Sequence, residues 1–334
     1  MSALASPDPK NHPSSSTIVN NVSSTAVFNF TSVTESTITD LLKSLNIRKA
    51  TGCDLIPPRA LKEGYPSLSH PICSLINQLI MRKEIPSTWK HGEVLPSFKN
   101  GDAMDKTDYG PITILPAISK VFEKSLCPQL TSYFETILPA TLTAYRKNHS
   151  CCTTLLILTE DWKTELDSNN TIGATLIDLS KAFDRLPHNL LLEKLAAYGV
   201  SLESLELLAN YLKNRTQCVR LNVIRSRTEK IRSGVPQGSV LGPQLFNIFI
   251  NDLFYNIKKA KLSAYADDKQ LYCSNANARI VQRILNSELA VVSSWIKGNG
   301  LLLNAKKCES LVFTKSNLQR NQAKKDKISF MSKN

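Results

Sequence analysis

The sequence predicts an α+β fold, and three observations carry that expectation. Apolar residues recur at helical spacing through most of the first half, as in "VTESTITDLLKSLN" and "LSHPICSLINQLIMRKEIP". A short apolar run, "TIGATLIDLS", reads as a strand set between helices. Two later stretches, "QCVRLNVIRSRTEKIRSGVPQGS" and "KLSAYADDKQLYC", alternate with a period of two, as hairpins do.

Taken in order, the chain opens with a stretch rich in Ser, Pro and Asn, so residues 1–35 are expected to be a flexible N-terminal segment. Helices follow, the second of them ended by Ile85 and Pro86. "WKHGEVLPSFKNGD" predicts a strand and a turn, and "ISKVFEKSLCPQLTSYFETIL" and "TTLLILTEDWKTELDSN" return to helix. After the strand at "TIGATLIDLS" come two helices, "PHNLLLEKLAAYG" and "SLESLELLANYLKNR", and then the first hairpin. A further helix starts near Pro243, a favoured first-turn residue, and buries Leu245, Ile248, Phe249 and Leu253 on one face. In the last hairpin Leu262, Ala264 and Ala266 alternate with Ser263 and Tyr265, and the chain turns at Asp267 and Asp268 and returns through Leu271. From Lys306 onward eight Lys or Arg face two acids, which reads as a solvated tail.

Composition narrows the class of function. With 334 residues and 42% hydrophobic content the chain is long enough for one large or two modest cores. A formal net charge of +13 favours a polyanionic partner, of which nucleic acid is the common one. The eight cysteines form no CxxC pair, which disfavours a zinc site or a disulfide framework and points to reduced thiols in an intracellular protein. The N-terminal residues lack a basic-then-apolar signal pattern and no apolar run reaches bilayer length, so secretion and membrane insertion are disfavoured.

The chemistry starts from "YADD". Asp267 and Asp268 are adjacent like charges within an apolar run, which is costly unless a turn solvates them or a cation compensates them. Asp178 closes the apolar strand at "ATLIDLSKAFD"; alone it would read as the N-cap of the next helix. With Asp267 and Asp268 lying 89 and 90 positions later on another strand, it suggests three carboxylates converging from neighbouring strands. Hard oxygen ligands of this kind suit Mg²⁺, and two such ions clamp the attacking and leaving oxygens of a phosphoryl displacement.

"IDLSKAFD", "SGVPQGSVLGPQLFNIFINDL", "YADD" and "GLLLNAKKCESLVF" resemble motifs A, B, C and D of reverse transcriptases, in the form found in non-LTR, LINE-type and jockey-like retrotransposons. "RKATGCDLIPPRALK", "IPSTWKHGEVLPSFKNGD", "TDYGPITILPAISKVFEK" and "AYRKNHSCCTTLL" are similar to that family's fingers blocks, in the same order. The resemblance implies a right-hand polymerase arrangement with fingers over 36–170, a palm over 171–315 built on an antiparallel sheet backed by helices, and a basic flexible tail over 316–334. It implies RNA-directed DNA synthesis with two Mg²⁺ ions, or Mn²⁺ in their place, and an RNA template, a DNA primer and deoxynucleoside triphosphates as partners.

Residue by residue, the resemblance gives Asp178 and Asp267 both metals, with the Leu179 carbonyl as a backbone ligand and Asp268 completing the acidic site from the periphery. Phe183 matches the aromatic steric gate that excludes a 2′-OH, the alternative being a core Phe. Gln237 and Gly238 match the loop lining the nucleotide and template site. Lys307 matches the motif D lysine that protonates pyrophosphate, with Lys306 or a plain surface role as alternatives. Lys99 matches a triphosphate contact, and His188 reads as structural. The chain also departs from the family. Gly110 stands where an arginine is usual, "TAYR" replaces a segment in which phenylalanine and glycine precede Arg146, and thumb, primer-grip and endonuclease segments are not seen. Those segments would come from elsewhere in such an element, and the departures make a catalytically silent nucleic-acid-binding remnant the alternative expectation.

Overall fold

The computed structural model describes residues 12–22 and 26–316 of the chain. Residues 1–11 and 23–25 of the expected N-terminal segment, and all of the expected basic tail except Ser316, lie outside the described residues. Within that first segment the flexible expectation is corrected: Pro13–Asn21 is a helix, α1, with Ile18 fully buried. Tertiary contact outweighs the weak local propensity here, because Glu193 accepts hydrogen bonds from the His12 amide at 3.3 Å and from Ser15 Oγ at 2.5 Å.

Glu35–Lys43 (α2) is capped by Thr34, whose hydroxyl accepts from the Thr37 amide, and it buries Ile38 and Leu42. Pro58–Glu63 (α3) and Tyr65–Arg82 (α4) follow, and α4 stops at Lys83 in a left-handed conformation just before Ile85 and Pro86. His91–Phe98 (β1) pairs antiparallel with Tyr109–Ile114 (β2). Pro111 is tolerated in β2 because that strand is the edge of its sheet. Ala117–Phe134 (α5) and Cys151–Asp167 (α6) are helices, the second opened by a Ser150/Thr153 capping box.

Thr171–Ile177 (β3) is buried at six of its seven positions, as a central strand covered on both faces should be. After it come Ala182–Arg185 (α7), His188–Ala197 (α8) and Leu202–Leu212 (α9). The predicted hairpin region forms Thr216–Leu221 (β4), Ile224–Arg225 (β5) and Glu229–Lys230 (β6). Leu241–Asn256 (α10) is followed by the hairpin Lys261–Tyr265 (β7) and Asp268–Asn275 (β8), then by Ala278–Gly298 (α11) and Glu309–Phe313 (β9). β9 corrects the solvated-tail reading for those five residues: it pairs with β3, and Phe313 packs on Trp162 with ring centroids 5.0 Å apart.

The architecture is mixed α and β, in two compact units that interleave along the chain. One gathers residues 12–15, 22, 26–136 and 187–245; the other gathers 16–21, 137–186 and 246–316. The first holds a five-stranded sheet in the order β2-β1-β4-β5, with β6 also on β4, in which β1 and β4 run parallel. The second holds a four-stranded, wholly antiparallel sheet in the order β7-β8-β3-β9. Helix α11 packs closely on β3, since a Cβ at Gly173 would lie 2.5 Å from Leu285 Cδ1 and 2.6 Å from Val281 Cγ1. Among the described residues no helix is long and apolar enough to cross a membrane.

Candidate active site

The second unit's sheet brings two acids together by register alone. β3 pairs with β8 through Ile177 opposite Lys269, so the next step outward sets Asp178 beside Asp268. β7 and β8 close through Tyr265 opposite Asp268, leaving Ala266 and Asp267 as the hairpin tip. Ala266 is buried and takes φ +56°, a left-handed conformation that an alanine adopts only under constraint. Asp178 does not cap the next helix; the N-cap of α7 is Lys181, itself left-handed at φ +50°.

Electrostatically the acids are unreconciled. Partial desolvation, then Asp267 and Asp178, raise the Asp268 carboxyl above its usual range, although Asp268 lies at the exposed edge. Behind the hairpin lies Lys269, which the sequence reading missed. Its side chain is 1% exposed, its Nζ donates to the Asp267 carbonyl at 3.3 Å, and it sits 5.5 Å from the centre of the Phe246 ring. Burial brings this lysine down to about 8, while Asp267, Asp268 and Asp178 oppose that shift. Among the described residues no group of three or more His, Cys, Asp or Glu is already arranged to hold a metal ion. The donor chemistry nevertheless fits a hard divalent cation that uses few carboxylates and keeps waters and phosphate oxygens as its other ligands.

Around Asp178 the chain is pinned from one side. Ser180 N donates to Leu302 O at 2.8 Å and Asn304 N donates to Asp178 O at 2.9 Å, so Leu179 and Leu303 form a non-hydrogen-bonded antiparallel pair. In that geometry the peptide groups of Leu179 face the opposite side, toward the β7–β8 hairpin. The Asp178 amide also contacts Cys308 Sγ at 3.4 Å, which fixes the turn carrying the exposed Lys306 and Lys307.

Aromatic contacts continue from the hairpin. Phe183 is half-buried and stacks on Phe246 with centroids 4.4 Å apart and planes 30° apart. Tyr145 meets Phe183 edge-on at 6.4 Å. Burial, then Asp267 and Tyr265, raise the Tyr145 hydroxyl, so it remains a proton donor.

The remaining sequence-predicted positions belong to the first unit. Lys99 lies across Gly110: a Cβ there would be 2.5 Å from Lys99 Cε. The loop at Gln237 and Gly238 is held at both ends. His188 Nε2 lies 2.6 Å from the Gly234 carbonyl, in keeping with the structural role expected of it. Glu123 Oε2 accepts from the amides of Val240 and Leu241, the latter at 3.0 Å. Gly238 is needed twice over, since its φ is +92° and a Cβ would lie 2.7 Å from Thr113 O. Glu123 is fully buried; burial raises its carboxyl, while those amides and the Arg215 charge lower it. Arg215 is 1% exposed, donates to Tyr211 O at 3.1 Å and stands 4.9 Å over the Tyr211 ring.

Comparison with known proteins decides the family. Residues 98–332 match the family model described as reverse transcriptase (RNA-dependent DNA polymerase). The chain belongs to the reverse transcriptase family. Among its relatives, the probable RNA-directed DNA polymerase from transposon BS of Drosophila melanogaster is 31% identical over 83% of this chain and 32% of the relative. The RNA-directed DNA polymerase from mobile element jockey of the same organism is 24% identical over 84% of this chain and 32% of the relative. A Pol polyprotein from the type-1 retrotransposable element R2 of Popillia japonica is 26% identical over 70% and 33%. The chain thus spans about a third of the length of the curated relatives it matches. Of the positions singled out in this chain, Asp178, Leu179, Phe183, Asp267, Asp268 and Lys307 share the second unit, whereas Lys99, Gln237 and Gly238 belong to the first.

Proposed function

We propose that the chain is an RNA-directed DNA polymerase that extends a DNA primer on an RNA template by two-metal nucleotidyl transfer. The observation that carries this reading is that the β3–β8 register, one step beyond its last pair Ile177–Lys269, sets Asp178 beside Asp268 and the Asp267 hairpin tip, in a chain of the reverse transcriptase family. Residues 36–170 would serve as fingers and 171–315 as palm. Asp178 and Asp267 would hold the ions with the Leu179 carbonyl, and Asp268 would add charge from the edge. The chemistry supplied by two bound Mg²⁺ ions, or by Mn²⁺ in their place, is activation of the primer 3′-OH and neutralisation of charge on the pyrophosphate. Phe183 would exclude a ribose 2′-OH, Gln237 and Gly238 would line the nucleotide and template, Lys99 would meet the triphosphate and Lys307 would protonate the leaving group. Basic surfaces would hold the template-primer by its phosphates.

The test is incorporation of dTTP by the full chain on poly(rA)/oligo(dT). Product that appears with Mg²⁺ and disappears with chelator is the expected result. A chain that binds the duplex and never extends it would instead be a catalytically silent nucleic-acid-binding protein. Gly110 favours this second reading, because it stands where the family's arginine is usual and the atoms nearest a Cβ there belong to Lys99.

A further inference from the structure

Tyr145 is a strained residue on a rigid support. Its φ is +61°, a conformation that a bulky side chain adopts only when its surroundings impose it. Those surroundings are well determined. Thr143 N donates to Ala264 O at 3.0 Å and Ala264 N donates to Thr141 O at 2.9 Å, which fastens the segment along β7. Asn247 Nδ2 donates to Ala144 O at 2.7 Å, and Arg146 folds back to Pro139 O at 2.7 Å and Leu142 O at 2.9 Å. Leu142, Thr143, Ala144 and Arg146 are all at most 9% exposed, yet Tyr145 between them is 52% exposed.

Burial therefore does not explain the strain. A ring driven outward by a strained backbone, and left half in solvent, gains little from packing. Its position is informative instead: the ring stands edge-on to Phe183, and the hydroxyl is close enough to Asp267 to feel its charge. Lys181, two residues before Phe183, and Ala266, next to Asp267, are left-handed as well, so three of the nine non-glycine residues with positive φ among the described residues border this site.

We infer that Tyr145 is a specificity-determining residue that contacts the sugar of the incoming deoxynucleotide, forming with Phe183 the two walls of its pocket. The inference rests on the polymerase reading of the same site. In this role the ring supplies an apolar wall and the hydroxyl supplies a donor.

The experiment compares Tyr145→Phe, Tyr145→Ala and Tyr145→Gly in the full chain. Tyr145→Ala is expected to raise the deoxynucleotide KM about tenfold, to narrow the preference over ribonucleotides, and to leave template-primer affinity unchanged. Tyr145→Phe should keep most of the preference. Tyr145→Gly should show the same kinetic loss with an unchanged or raised Tm, because glycine relieves the backbone; a packing role would lower Tm and activity together. Wild-type KM and sugar preference in Tyr145→Ala, or a Tm loss in Tyr145→Gly that tracks the kinetic loss, overturns the inference. Should the wild-type chain not polymerise, equilibrium binding of dTTP decides separately. Weaker binding by Tyr145→Ala then upholds the nucleotide contact while the catalytic reading fails, and equal binding, or none by wild type, overturns the contact too.

Discussion

Glu123 in the first unit and the aspartates of the second are all acids taken partly or wholly from water, and the chain treats them differently. Glu123 is enclosed on every side; its Oε2 caps the amides of Val240 and Leu241, and the Arg215 charge lies near. Asp178, Asp267 and Asp268 meet at a sheet end where Asp268 is exposed and each acid repels the others. A buried cation, Lys269, lies behind the hairpin and bonds the Asp267 backbone. Glu123 is tied into its own fold by two amides although burial disfavours its charge, whereas the aspartates open toward solvent, where the proposed cation would meet them.

Exchanging acid for amide should therefore break the two regions in opposite ways. The largest effect is expected at Asp178→Asn and Asp267→Asn, each lowering incorporation by about a thousandfold or more. Stability should be unchanged or slightly raised, because a like charge is removed, and duplex affinity should keep its salt dependence. Asp268→Asn, at the exposed edge, should lose less. Near wild-type incorporation by Asp178→Asn or Asp267→Asn in Mg²⁺ would remove the basis of the two-metal assignment.

Next in size is Glu123→Ala, which strands two buried amides, a loss of about 2–6 kcal/mol in denaturant unfolding. Glu123→Gln isolates the charge. The folded-state pKa of Glu123 is raised above 4.5, so its contribution to stability is fully present below pH 4.5 and declines as pH rises through that value toward the folded one. The amide cannot ionise, and its stability curve should lack that decline. An identical pH dependence in wild type and Glu123→Gln would show that the carboxyl is not desolvated as described.

The acids were legible in the sequence because strand and hairpin both have local signatures: an apolar run for β3 and a period of two across β7 and β8. Their partners were less so. Lys269 follows two aspartates and reads as one more solvated charge, although the alternation of β8 points it inward with Leu271 and Cys273, a signal that was available. Glu123 could not be read locally, since the amides it caps lie more than a hundred positions further along the chain. Helix α11 carries apolar residues at 281, 285, 289, 292 and 296, a clear helical stripe that the sequence reading passed over. By contrast α1 and β9 have weak local signals, and only their tertiary contacts order them.

The smallest predicted effect concerns Gly110, where the comparison between regions turns on a cation that is missing instead of an acid that is unmatched. The Cβ of a substituted residue would meet Lys99 Cε at 2.5 Å, Nζ at 3.4 Å and Cδ at 3.6 Å, all at the far end of a flexible side chain. Gly110 is not among the residues with positive φ, and it sits in the edge strand β2, so the backbone accepts a side chain there. Gly110→Arg should accordingly fold, displacing only the tip of Lys99. If this position faces the triphosphate, the guanidinium adds charge-assisted hydrogen bonds worth roughly 1.5–3 kcal/mol each, and the deoxynucleotide KM should fall about ten- to a hundredfold. Template-primer affinity should change little, because the new charge would lie at the nucleotide and not along the duplex. Gly110→Lys, which restores charge without a planar fork, should recover only part of the gain. A polymerising chain in which neither substitution moves KM would place Gly110 and Lys99 away from the triphosphate.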